Sequence, residues 1–291
     1  MGETLVIGIV NGAVYGLIAL GIVLVYKGSR VLNFGQGELG TFGLFVTWWL
    51  VVKQGMPWGV GALAGVAAAV AVALAFERLV VRRMGDAPRL SVAVATVGLF
   101  LFLLAAEAVV WREPQVVLRP PFSGLGPKIL GYFVSPTQIL ALVAVAGIGL
   151  ALAAFLRATD FGLGVLAAAQ DPTMVRLVGV PLSRVSAFTW GLAGALGAMA
   201  AILIGPIFGA FAPGFMTRIF IWGLAAALLG GLTSLPGAFV GGIAVGIFDS
   251  AVQRVFLTGS VPGVPSIALL LVILAVLLFR PSGLLGKVAT R

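Results

Sequence analysis

Long apolar runs alternate with short polar intervals from one end of this chain to the other. The runs cover about residues 4–26, 44–52, 59–81, 90–111, 137–156, 185–208, 219–235, 237–252 and 266–279. Most are roughly 15 to 25 residues, near the length a helix needs to cross a bilayer's hydrocarbon core. The pattern predicts an all-α, polytopic helical membrane protein with eight or nine transmembrane helices. Nine follow if every run crosses; eight follow if the second run is re-entrant.

Three polar intervals interrupt the pattern. The segment 27–43, KGSRVLNFGQGELGTFG, holds Asn33, Gln36 and Glu38 among Gly35, Gly37, Gly40 and Gly43. It reads equally as a turn between spans or as broken helix at membrane depth, where irregular backbone is tolerated only against protein or water. On the second reading Asn33, Gln36 and Glu38 are candidates to line a pathway. The segment 112–136 is rich in Pro and Gly and reads as an extracytoplasmic loop. The segment 157–184 contains a short helix-forming run, 165–170, too short to cross a membrane. A short helix held between two spans has the form of a docking element.

Glycine spacing adds packing information. Gly8, Gly12 and Gly16 recur every fourth residue in the first run, and Gly242 and Gly246 repeat that spacing near the C-terminus. Small residues at this interval let membrane helices approach backbone to backbone.

Composition supports the membrane class. The 291 residues are 61% hydrophobic and only 9% charged, with a mean hydropathy of +1.18; soluble domains carry about 25% charge. The net charge of +9 needs no nucleic acid, because Lys and Arg collect on the cytoplasmic side of membrane proteins. With the N-terminus outside and nine crossings, twelve of the 18 basic residues fall inside and six outside. That places 157–184 in the cytoplasm, a placement that the eight-crossing alternative keeps. The first run lacks a basic leader and reads as a span rather than a cleaved signal.

The chemistry is sparse. The chain has no Cys and no His, which removes thiolate sites and the commonest general base and metal ligand. None of the four lysines follows the GxxxxG of a phosphate-cradling loop, so ATP binding by that route is excluded. No cofactor or catalytic group is expected. An ion-coupled secondary transporter would need acids at mid-membrane, and the candidates Glu38, Glu107 and Asp249 all lie near run ends. Glu107, five residues before Arg112, reads as an interfacial or snorkelling acid at least as well as a functional one.

Three blocks carry a family resemblance, in order along nearly the whole chain. NGAVYGLIALGIVLVYKGSRVLNFGQGELGTFG, TDFGLGVLAAAQDPTMVRLVGVPLSRVSAFTWGLAGALGAMAAIL and LLGGLTSLPGAFVGGIAVGIFD resemble the branched-chain amino acid permeases of ATP-binding-cassette transporters. The resemblance implies a multi-pass subunit of the bacterial inner membrane. Its partners would be a second permease, homologous or identical, two ATPase subunits and an extracytoplasmic solute-binding protein. It implies a cytoplasmic coupling helix at about 162–178, with Asp160, Gly162, Gln170, Asp171, Arg176 and Gly179 as polar and turn residues around it. Asp160 and Asp171 serve at least as well as helix caps as they do as partner contacts. The solute would be a branched-chain amino acid, with urea, short amides or another small solute as the alternative.

Overall fold

The computed structural model describes residues 1–85, 87–170, 175, 181–256, 264–279 and 283. Among them are ten α-helices: α1 Gly2–Ser29, α2 Gln36–Trp48, α3 Trp58–Leu79, α4 Arg89–Trp111, α5 Pro136–Ala158, α6 Asp160–Gln170, α7 Leu182–Phe208, α8 Phe215–Gly230, α9 Leu235–Phe256 and α10 Val264–Phe279. Six of these (α1, α3, α4, α5, α7 and α9) are long and apolar enough to cross a membrane. Three shorter helices, α2, α8 and α10, complete the bundle; α2 is prolonged by a π-helical turn, Trp49–Lys53.

Local chemistry sets the ends of the helices. Pro57 and Pro88 sit in extended backbone directly before α3 and α4, as expected of residues that donate no N–H. Ser135 and Gln138 form a reciprocal capping box at the start of α5, with Pro136 at its first position. The Ser234 hydroxyl accepts from the Gly237 N–H and so caps α9.

Burial separates a centre from a rim. In the most apolar stretches of α1 and α7, 89% and 72% of residues are buried, against 22% in α3 and α5. The rim helices turn Leu63, Leu101, Phe102, Val143 and Leu150 outward, a surface suited to lipid rather than water.

The centre is held by close backbone approach. Gly8, Gly12 and Gly16 on α1 lie against Gly242, Ile243, Gly246 and Ile247 on α9, with α9 running antiparallel; Phe239 covers Gly16. α2 is clasped on three sides in the same manner. Gly37 meets Met216 and Phe220 of α8, Gly40 meets Gly197 of α7, and Gly43 meets Gly65 of α3.

One end of the bundle is closed by the 112–135 segment, which the sequence pattern shows only as a loop. Val116–Val117 pairs antiparallel with Ala210–Phe211, and Lys128–Ile129 pairs with Tyr132–Phe133. Val116, Leu118 and Phe211 are buried in this cap. Phe45 stacks on Trp111 at 5.0 Å and meets Phe211 edge-on at 5.2 Å, forming an aromatic layer beneath it. α6 lies at the opposite end.

Candidate functional site

Two places in the fold bring together the residues singled out above: the corner between α5 and α6, and the break between α1 and α2.

At the corner, α5 stops at Ala158 and α6 starts at Asp160, with a single residue, Thr159, between them. The Thr159 hydroxyl donates to the Phe155 carbonyl at 2.8 Å and accepts the Gly162 N–H at 3.0 Å. One side chain thus ends the first helix and caps the second, so the cap is Thr159 rather than Asp160. Asp160 occupies the first turn, where a negative charge suits the helix dipole. Gly162 is pressed against the backbone of Phe155 and Leu156, which leaves no room for a Cβ.

Val165 and Ala168 are buried, while Asp160, Leu163, Ala167 and Gln170 are exposed and share one face at helical spacing. Phe161 folds back onto Phe188, which also stacks on Phe155 at 5.3 Å. α6 is therefore a short arm braced against the bundle, with one free face. It begins five residues before the run that the pattern marked. Asp171, Arg176 and Gly179 lie outside the described residues.

At the break, α1 ends in Arg30, whose left-handed φ of 57° turns the chain. Asn33 Oδ1 accepts from Gly35 N–H at 3.0 Å, a local turn of the kind Asn favours. Gln36 Nε2 donates to the carbonyl of Ile18 at 3.1 Å, which sets the start of α2 beside the middle of α1. The segment is thus a helix break buried inside the bundle and not an exposed turn. Asn33, Gln36 and Glu38 are all fully buried in this conformation, and Asn33 Nδ2 and Gln36 Oε1 have no hydrogen-bond partner. Gln36 fills the space between Gly21 and Gly197.

The acids are placed differently from their positions along the runs. Glu107 does not snorkel: it is fully buried and faces Glu38, while Arg112 donates instead to the carbonyl of Val109. α2 and α4 run in the same direction here, with Gly35 on Leu99 and Phe42 on Trp111, so Glu38 and Glu107 each lie one turn before an aromatic partner. Thr217 donates to Glu38 Oε1 at 2.6 Å, and Met216 N–H donates to the Thr41 hydroxyl at 3.1 Å.

Asp249 is likewise buried. It accepts from Tyr15 at 2.8 Å and from Gln253 at 2.7 Å, and Tyr15 also stacks on Trp222. Tyr15, Thr41, Thr159 and Thr217 escape sequence reading because a hydroxyl inside an apolar run looks neutral until its partner is known. Removing the Tyr15 hydroxyl (Tyr15→Phe) leaves a buried carboxylate short of a donor. We expect a loss of about 1–3 kcal/mol, read as a lower melting temperature of the purified protein in detergent.

These features define a polytopic helical membrane protein whose chain is broken at depth and which carries one braced helix at an end. Residues 4–280 match the family described as "Branched-chain amino acid transport system / permease component", and the chain belongs to that family. The permease LivH of the Escherichia coli high-affinity branched-chain amino acid transport system is 30% identical, over 96% of this chain and 94% of its own length. BraD of Pseudomonas aeruginosa, of the same description, is 31% identical over 98% and 95%. A probable LivH of Methanocaldococcus jannaschii is 26% identical over 70% and 67%. Among solved structures, PsaBC from Streptococcus pneumoniae in complex with Fab has a similar fold, with a TM-score of 0.50 at 12% identity, covering 96% of this chain and 91% of that one.

Proposed function

We propose that this chain is the membrane-spanning subunit of an ATP-binding-cassette importer that moves branched-chain amino acids across the bacterial cytoplasmic membrane. Residues 1–291 act as a single permease domain, with 157–184 on the cytoplasmic side. A second permease chain, two ATPase subunits and an extracytoplasmic binding protein complete the machine, and ATP is hydrolysed by the partner.

The observation that carries the mechanism is the braced α6. Motor closure has to cross a protein boundary as force, and a helix joined to a span by one residue transmits displacement where a flexible loop would absorb it. Its free face, Leu163 and Ala167 between Asp160 and Gln170, suits a shallow groove on a partner. In the same reading the solute passes beside the start of α2, and Asn33, Gln36 and Glu38 reach the path only when the bundle opens.

The test is to purify the tagged chain from its own cell and then measure uptake. Recovery of an ATPase and a second permease, with ATP-dependent accumulation of labelled leucine or isoleucine in proteoliposomes that contain the binding protein, is expected. Accumulation by the isolated chain on an ion gradient without ATP would overturn the assignment.

A further inference from the structure

Glu38 and Glu107 form a buried carboxyl pair; the transport reading places Glu38 beside the path once the bundle opens, and it uses neither Glu107 nor the pairing of the two. They lie on different helices, both fully buried, beneath the aromatic layer of Phe42, Phe45 and Trp111. Glu38 Oε2 and both carboxyl oxygens of Glu107 lack a well-formed hydrogen bond, although the two carboxyls are within reach of each other and of the backbone at Gly214.

The groups around the pair are neutral donors. Thr217 donates to Glu38, and the Gly214 N–H points at the pair from the start of α8. The nearby cations are engaged or turned away. Arg112 bonds the Val109 carbonyl, Lys53 is paired with Glu113 at 3.0 Å, and Arg218 is solvent-exposed. On α1, Tyr15 is bonded to Asp249.

Electrostatics then decides the charge state. Two helix N-termini converge on the pair: α2, with Glu38 in its first turn, and α8, which starts beside Gly214. Each N-terminus supplies roughly half a positive charge. Together they balance about one carboxylate, and a second ionised carboxyl in this setting would be a like charge with no compensation.

We infer that Glu38 and Glu107 constitute a proton-binding site, holding one proton between them as an acid–carboxylate pair that ties α2 to α4 and to the start of α8. One oxygen carries the proton, taken from solvent as the protein folds, and donates it to the other carboxylate. Thr217 and the helix ends stabilise the remaining charge. A metal ion is the poorer occupant: among the described residues no cluster of three acidic or histidine ligands exists, whereas calcium and magnesium take six or more ligands and zinc takes four. The site has a consequence for transport: water reaching the pair when the bundle opens would let the proton leave and free α2 from α4.

The experiment uses the full-length chain in lipid nanodiscs. Infrared spectra at neutral pH are expected to show the C=O stretch of a buried protonated carboxylic acid, absent in Glu107→Gln and in the double variant Glu38→Gln/Glu107→Gln. The folded protein holds a proton that the unfolded chain releases, so stability falls as pH rises. For one proton the folding equilibrium drops by up to about tenfold per pH unit, and the double variant loses that dependence. No protonated band in the native protein, a band that survives in the double variant, or stabilisation by sodium or potassium over choline would each overturn the proposal. The pH dependence of the native protein stands as a test even if a variant does not fold.

Discussion

Gly246→Leu is expected to prevent assembly of the bundle. Nothing separates α9 from α1 at this point: a Cβ on Gly246 would land on the backbone of Gly12 and the carbonyl of Gly8. Backbone cannot rotate aside as a side chain can, so the two helices must part. Parting them costs the contacts of Gly8, Gly12, Gly16 and Gly242 together, and also strains the Tyr15–Asp249 bond between the same two helices. Overpacking a core costs typically 1–3 kcal/mol, and here the clash is rigid and central, so about 3 kcal/mol or more is expected. The control is Gly98→Ala in α4. Nothing lies within reach of a Cβ there, and the position is exposed to the surroundings. That exchange should be neutral or stabilising, since Ala is favoured over Gly in a helix by about 1 kcal/mol. Size-exclusion profiles and melting temperatures in detergent distinguish the two outcomes. A monodisperse Gly246→Leu protein with an unchanged melting temperature would show that α1 and α9 do not meet this way in the membrane.

The same comparison shows what a linear pattern conveys and what it omits. Run lengths foretell helices because lipid demands that backbone groups be bonded within the segment, and the observed spans follow the runs closely. Depth is not legible in this way. Glu38 lies at the polar start of a run, yet its helix begins beside the middle of α1 because Asn33 and Gln36 fold the chain back inside the bundle. Glu107 is four residues from the end of its helix and next to a polar loop, a position that reads as interfacial. The cap above it closes through the pairing of Val116 and Val117 with Phe211 and Ala210, a contact between segments far apart in the chain. No local window contains that pairing.

Capping is an intermediate case. In Thr159-Asp160-Phe161-Gly162 the charged residue, Asp160, reads from the sequence as the cap. The decisive group is the preceding Thr159, whose hydroxyl both donates and accepts, as the corner requires and as an ionised carboxylate cannot.

Loosening the α5–α6 corner should separate ATP hydrolysis from uptake. In Gly162→Val the new side chain meets the Phe155 carbonyl and the Leu156 backbone, so α6 must swing away from α5. The burial of Val165 and Ala168 and the Phe161–Phe188 contact are then strained or lost, and the Asp160–Leu163–Ala167–Gln170 face changes direction. The spans themselves are untouched, so the protein should still insert and purify. If α6 is the arm through which a motor acts, uptake per ATP hydrolysed should fall by about tenfold or more, the effect of weakening docking by roughly 1.4 kcal/mol. Deleting 165–170 should do the same more severely. Thr159→Ser, which keeps the hydroxyl, should retain coupling, whereas Thr159→Val should lose part of it. Uptake and phosphate release measured together in proteoliposomes with the ATPase and binding protein give the ratio directly. An unchanged ratio in the deletion would mean that the motor grips the permease elsewhere, while loss of both activities together would point to failed assembly, which co-purification of the ATPase would reveal. Uncoupling with the assembly intact is the outcome that follows from a helix held to its span by one threonine and one glycine.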